Sequence, residues 1–285
     1  MSVFRANALA LITGGSSGIG FAVAQLCLKH GMRVGVVDIN KDTLEYAKAQ
    51  LQGKDSDVEI FQADVSKEDE WKTLKGKVET RFGSPVDFLM LNAGVQVKGT
   101  WGDDAYFDKT LAVNLFGVIH GLNTYVPSFK SQTSNSPSAI VVTGSKQGIT
   151  NPPGNAAYNA SKSAVKTLTE HLSFDLKDTK TSVHLLVPGW TFTGLSGNAP
   201  GSASTKPNGA WHASQVADYM YSKIAANKFY ILCPDDDVSE DLDKKRMLWT
   251  AGDLVNGRPP LTRWREDWKD EAQGWIQGAD PELLK

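Results

Sequence analysis

With 285 residues, 41% of them hydrophobic and 22% charged, the chain has enough apolar material for a full core, which excludes global disorder. A formal net charge of −2 leaves no basic stripe, so neither nucleic acid nor an anionic membrane is expected as a partner. Two cysteines, Cys27 and Cys233, exclude a disulfide framework and point to a reducing, cytoplasmic setting.

The first apolar stretch, Ala8–Ile12, runs straight into a glycine-rich turn. It is too short for a signal-peptide core, and no later run approaches the roughly 18 residues of a membrane span. It reads as a strand. Further strands are predicted near 33–37, 57–61, 86–91, 138–143 and 182–187, each bounded by Gly, Pro, Asn or Asp, with a seventh at 229–232. Between them, 17–30, 41–52, 67–82, 104–129 and 157–178 carry helical spacing. This alternation predicts an α/β fold: a doubly wound parallel sheet of about seven strands with helices on both faces. Residues 1–233 read as that domain. Residues 234–285 hold 8 Lys/Arg against 13 Asp/Glu and four of the eight tryptophans, and read as a helical or loop extension. Its tryptophans are expected to dock it onto the body or a neighbouring subunit. Residues 194–210, rich in Gly, Ser, Ala and Pro, are expected to form a mobile loop.

At the first strand–helix junction stands Thr13-Gly14-Gly15-Ser16-Ser17-Gly18-Ile19-Gly20. Glycines let the backbone approach a ligand closely, and the N–H groups at a helix start suit a pyrophosphate. Asp38, after the second strand, can accept both ribose hydroxyls of a dinucleotide and repel the extra phosphate of NADP. NAD is therefore the expected cofactor. The plain alternative makes Asp38 a turn or cap residue.

Tyr158 and Lys162 share a helix face at i and i+4. A nearby ammonium favours a phenolate, so such a tyrosine can pass a proton to or from a substrate oxygen. The order and spacing of further residues add specificity: Gly14-x-x-x-Gly18-x-Gly20, Asn92-Ala93-Gly94, Asn114, Ser145 thirteen residues before Tyr158, and Pro188-Gly189 with Thr193. Over about residues 5–233 the chain resembles the short-chain dehydrogenases/reductases, which have a Rossmann fold. That resemblance implies an oxidoreductase that interconverts a secondary alcohol and a ketone. It implies Tyr158 as general acid/base, Ser145 as donor to the substrate oxygen, and Lys162 as the group that binds the nicotinamide ribose and lowers the Tyr158 pKa. Asn114 would hold a water of the proton relay. Gly14, Ser17, Gly18, Ile19, Asp38, Asp64, Val65, Asn92, Pro188 and Thr191 or Thr193 would line the cofactor, and Gln96, Gln147, Ile149, Trp190 and Trp211 the substrate. The chain has Leu91 where the family often has an asparagine, and Gly144 where it often has a serine before the catalytic one.

Taken singly, Asn114 could be a buried asparagine bonding to backbone. The five histidines show no metal-ligand spacing, so no catalytic metal is expected. The 104–129 helix is apolar on more than one side. It lies either deep in one subunit or, as the resemblance implies, at the interface of a homodimer or homotetramer. The alternative function is a nucleotide-binding regulatory member of the same fold without catalysis. A sugar-nucleotide epimerase or dehydratase would space its turn Gly-x-x-Gly-x-x-Gly, which this chain does not. Lys206 is the one charge in 194–210, which favours an uncharged, moderately apolar small molecule as substrate.

Overall fold

Every residue of Leu9–Thr13 is buried, and this segment is β1, an interior strand of the sheet. The computed structural model describes residues 2–51, 57–132, 136–196 and 204–280. In chain order β1 leads to α1 (Gly18–Lys29), β2 (Arg33–Asp38), α2 (Lys41–Gln50), β3 (Val58–Gln62), α3 (Glu68–Phe82) and β4 (Phe88–Leu91). The middle of the chain forms α4 (Asp104–Leu111), a π-helical turn (Ala112–Phe116), α5 (Gly117–Ser131), β5 (Ser138–Thr143), α6 (Gln147–Thr150) and α7 (Ala156–Asp175). β6 (Thr181–Val187), β7 (Thr191–Phe192), β8 (Trp211–His212), α8 (Ala213–Ala225) and β9 (Tyr230–Leu232) follow, and α9 (Glu240–Val255) and α10 (Lys269–Gly278) close the described chain.

Seven parallel strands pair in the order β3-β2-β1-β4-β5-β6-β9, which is a Rossmann-type sheet. Alternation along β1 serves both faces. Ala10 and Ile12 join a core beneath α1 and α8, and Leu9 and Leu11 join one beneath α3, α5 and α7. Strand order reverses between β1 and β4, and ligands of such sheets bind in the crevice beyond the carboxyl ends at that point. β7 and β8 form a separate two-stranded pair at the same end.

The extension follows β9. Within it Trp249 packs with Ala272 and Ile276 in a local core, and its indole N–H donates to Thr262 at 2.8 Å. Residues 197–203 of the predicted mobile loop lie outside the described residues; Gly194–Ser196 form a 3₁₀ turn. No helix among the described residues is long and apolar enough to cross a membrane.

Candidate active site

The glycine turn after β1 is shaped by close approach. Gly14 takes φ 60° in the left-handed region, and a Cβ there would stand 2.9 Å from Ala93 Cα. Asn92 braces the same junction. Its side-chain amide donates to the Thr13 and Gly14 carbonyls at 3.1 and 3.3 Å, and its Oδ1 accepts from Thr143 Oγ1 at 3.1 Å. Ser17 begins α1 without a side-chain capping bond, and the first turn has no acidic residue. The N–H groups and dipole at that helix end thus remain directed at an anion. These features fit a dinucleotide pyrophosphate.

At the end of β2, Asp38 accepts from Ser16 Oγ at 2.6 Å, from the Ser16 N–H at 3.3 Å, and from the Ile39 and Asn40 N–H groups at 2.8 and 3.4 Å. Ser16 Oγ is in turn 2.9 Å from Thr43 Oγ1. Four donors fix the orientation of the carboxylate. Sequence reasoning missed Ser16 as its partner, because the two residues lie 22 positions apart in the chain.

Tyr158 and Lys162 project from the first two turns of α7. Tyr106 anchors that helix start: its hydroxyl accepts the Ala157 N–H at 3.0 Å. Burial pushes the Tyr158 phenol above its ordinary pKa, and the neighbouring Ser145 hydroxyl offsets only part of that rise. The Lys162 ammonium donates to the Thr143 carbonyl at 2.8 Å and stands 5.8 Å from the Tyr158 ring centroid. Burial drives the Lys162 pKa down to about 8.

Asn114 sits fully buried in the π-helical turn. Such turns displace one residue out of the ordinary helical ladder. Its Oδ1 accepts the Val95 N–H at 2.8 Å and its Nδ2 donates to the Val95 carbonyl at 2.9 Å. Asn114 therefore holds the segment after β4 and does not itself line the cavity.

A cavity of about 640 Å³ opens beyond the carboxyl ends of the strands. Of the residues expected from sequence, it gathers Gly14, Ser17, Gly18, Ile19, Asp38, Asp64, Val65, Asn92, Ser145, Tyr158, Lys162, Pro188, Thr191 and Thr193, with Gln96, Gln147 and Trp190. Two substrate candidates lie elsewhere. Trp211 pairs with Thr191 in the β7–β8 ribbon and packs edge-on against Tyr219, which directs it toward the α1–α8 side. Ile149 packs into the core beneath α3, α5 and α7. Lys146 lines the cavity and was not anticipated; Lys146 and Lys162 are the only cations among the described lining residues. No group of three or more His, Cys, Asp or Glu among the described residues is placed to hold a metal ion.

This arrangement can bind a dinucleotide along the glycine turn and present two hydroxyls, Ser145 and Tyr158, to a substrate oxygen. Known proteins agree. The family profile described as short chain dehydrogenase matches residues 8–202. An NADP-dependent (R)-specific alcohol dehydrogenase from Lentilactobacillus kefiri is 32% identical over 198 residues, covering 68% of this chain and 77% of that protein. A 3beta-hydroxysteroid dehydrogenase from Eggerthella lenta is 30% identical over 193 residues, covering 67% and 73%. Among solved structures, a short chain dehydrogenase/reductase from Burkholderia phymatum in complex with NAD superposes with a TM-score of 0.79 at 27% identity, over 91% of this chain and 98% of that one. A profile match that runs from just before β1 to past β7, with relatives close to a third identical over two thirds of the sequence, makes this chain an oxidoreductase of the short-chain dehydrogenase family.

Proposed function

We propose that the chain interconverts an uncharged secondary alcohol and its ketone, with NAD preferred over NADP. The observation that carries this reading is the Ser145 and Tyr158 hydroxyl pair, which lines the cavity that the glycine turn and the α1 N-terminus share. A nicotinamide dinucleotide held there would supply or accept the hydride. In reduction, the Tyr158 hydroxyl gives its proton to the carbonyl oxygen while the Ser145 hydroxyl donates a hydrogen bond to the developing oxyanion. In oxidation Tyr158 takes the alcohol proton. Lys162 binds the ribose, and Asn114 supports the relay through the backbone it holds. Asp38, fixed by four donors with no cation beside it among the described lining residues, supports NAD: a 2′-phosphate would meet a carboxylate and no counter-charge.

The test is Tyr158→Phe across a panel of neutral alcohols and ketones with both cofactors. We expect kcat to fall by at least about 10²-fold, as for loss of a general acid/base. Wild-type turnover in that variant overturns the proton-transfer role. Binding of NAD with no turnover of any substrate by the wild type would favour the non-catalytic regulatory reading.

We also infer a homodimer or homotetramer formed through the α4–α5 and α7 faces. Phe116, on the π-helical turn, and Phe174, near the end of α7, are 48% and 67% exposed. A monomer by light scattering at micromolar concentration overturns this.

A further inference from the structure

Lys146 follows Ser145 directly and lines the cavity, yet only 14% of its side chain is exposed. Its ammonium lies 3.3 Å from Asp235 Oδ2 and also pairs with Asp243 Oδ2. Those carboxylates come from the segment after β9 and the first turn of α9, and their side chains are 7% and 2% exposed. A buried cation with two buried carboxylates is costly to assemble, so its geometry fixes the groups that make it.

What those groups carry matters more than the pairing itself. Asp235 Oδ2 also accepts the Trp190 N–H at 3.1 Å. The backbone at Gly189 presses on the pair so closely that a Cβ there would stand 2.5 Å from Asp235 Oδ2 and 2.7 Å from Lys146 Nζ. The next residue continues the pattern. The Asp236 N–H donates to the Gly209 carbonyl at 2.9 Å, and its carboxylate pairs with Lys206 at 3.1 Å. Lys206 donates to the Ala210 carbonyl at 2.6 Å, at the entry to β8. A staple for α9 alone would need none of these bonds to the cavity wall.

We propose that Lys146 is a positioning residue: through Asp235 and Asp243 it locks the Ser145 turn and the Gly189–Trp190 wall to the segment after β9, making that segment part of the active-site rim. The proposal rests on the oxidoreductase reading, because Ser145 and Trp190 are the groups it holds in place.

The experiment compares Lys146→Met, Lys146→Arg and Asp235→Asn with wild type and Tyr158→Phe. Three quantities are read: steady-state kinetics on a neutral ketone, NADH affinity by fluorescence, and hydrogen exchange of the 144–149 and 188–192 segments. Lys146→Met should lose at least about tenfold in kcat/KM, most of it in KM for the ketone, with NADH affinity within twofold of wild type. Asp235→Asn should lose comparably, and Lys146→Arg should recover to within about threefold. Both segments should exchange faster in Lys146→Met. Wild-type kcat/KM in Lys146→Met overturns the positioning role whatever the exchange rate. A loss of NADH affinity equal to the loss of kcat/KM does so too, since it makes the effect global. Should Tyr158→Phe turn over like wild type, the oxidoreductase reading falls, and exchange alone then decides the clamp: unchanged protection in Lys146→Met overturns it, faster exchange supports it.

Discussion

At the scale of single residues, the site depends on polar groups held where water does not reach. Lys162 is the clearest. Burial lowers its pKa to about 8 from an unfolded value near 10.5. The unfolded chain therefore binds the extra proton between those values, and stability must rise with pH from about 8 toward 10.5. Lys162→Met lacks this rise. Urea unfolding at pH 8 and pH 10 should show wild type gaining stability relative to the variant, and the variant should be no less stable than wild type at pH 7 while its activity falls by at least about 10²-fold. Equal pH dependence in the two proteins would mean that the ammonium is solvated. Residue types and order were legible in the sequence for Ser145, Tyr158 and Lys162, because i,i+4 spacing and a thirteen-residue offset are local. The burial that raises the Tyr158 phenol and the bond from Lys162 to Thr143 were not, since neither is written in spacing.

At the scale of elements, the strands and helices followed their periodicity closely, since a parallel strand buried on both faces is a short apolar run with turn residues at its ends. The π-helical turn escaped the reading. It continues the apolar pattern of its neighbours and differs only in the ladder that sets the direction of Asn114. Trp211 escaped for a similar reason: a two-residue ribbon turns its side chain away from the cavity. Two glycines test how elements meet. A Cβ at Gly20 in α1 would stand 2.3 Å from the Gly14 carbonyl oxygen and 2.8 Å from Asn92 Nδ2. Gly20→Ala should cost about 1–3 kcal/mol and weaken NADH binding at least tenfold, because the turn itself must shift. Gly76 lies in α3 with nothing within 4 Å of its would-be Cβ. Gly76→Ala should stabilise by about 0.5–1 kcal/mol and leave binding alone. Denaturant unfolding and NADH titration of both variants check the contrast. Destabilisation by Gly76→Ala would mean that the α3 surface is covered in solution.

At the scale of the whole molecule, ligand and fold stabilise each other. A ligand at 100 times its Kd adds about 2.7 kcal/mol to stability. For a chain of this size that is a rise of roughly 4–5 °C in Tm. NAD should produce it, and NADP at the same concentration should produce less. Asp38→Ala should narrow the gap. Equal shifts from both cofactors in wild type would remove Asp38 from the choice. The two core layers that the sheet separates account for most of the apolar sequence, which explains why the fold was readable from periodicity. The rim was not readable in the same way, since Lys146 and Asp235 are 89 residues apart and share no pattern.

That distance also imposes an order on biosynthesis. A chain emerging from the ribosome has delivered its glycine turn, its Ser145–Tyr158–Lys162 set and its Pro188-Gly189 by the end of β7. Lys146 is then a cation whose carboxylate partners appear only after β9. Every residue by which the family is recognised is made before the wall it works against is complete. The nascent enzyme therefore passes through a stage that carries its full signature and an unfinished mouth.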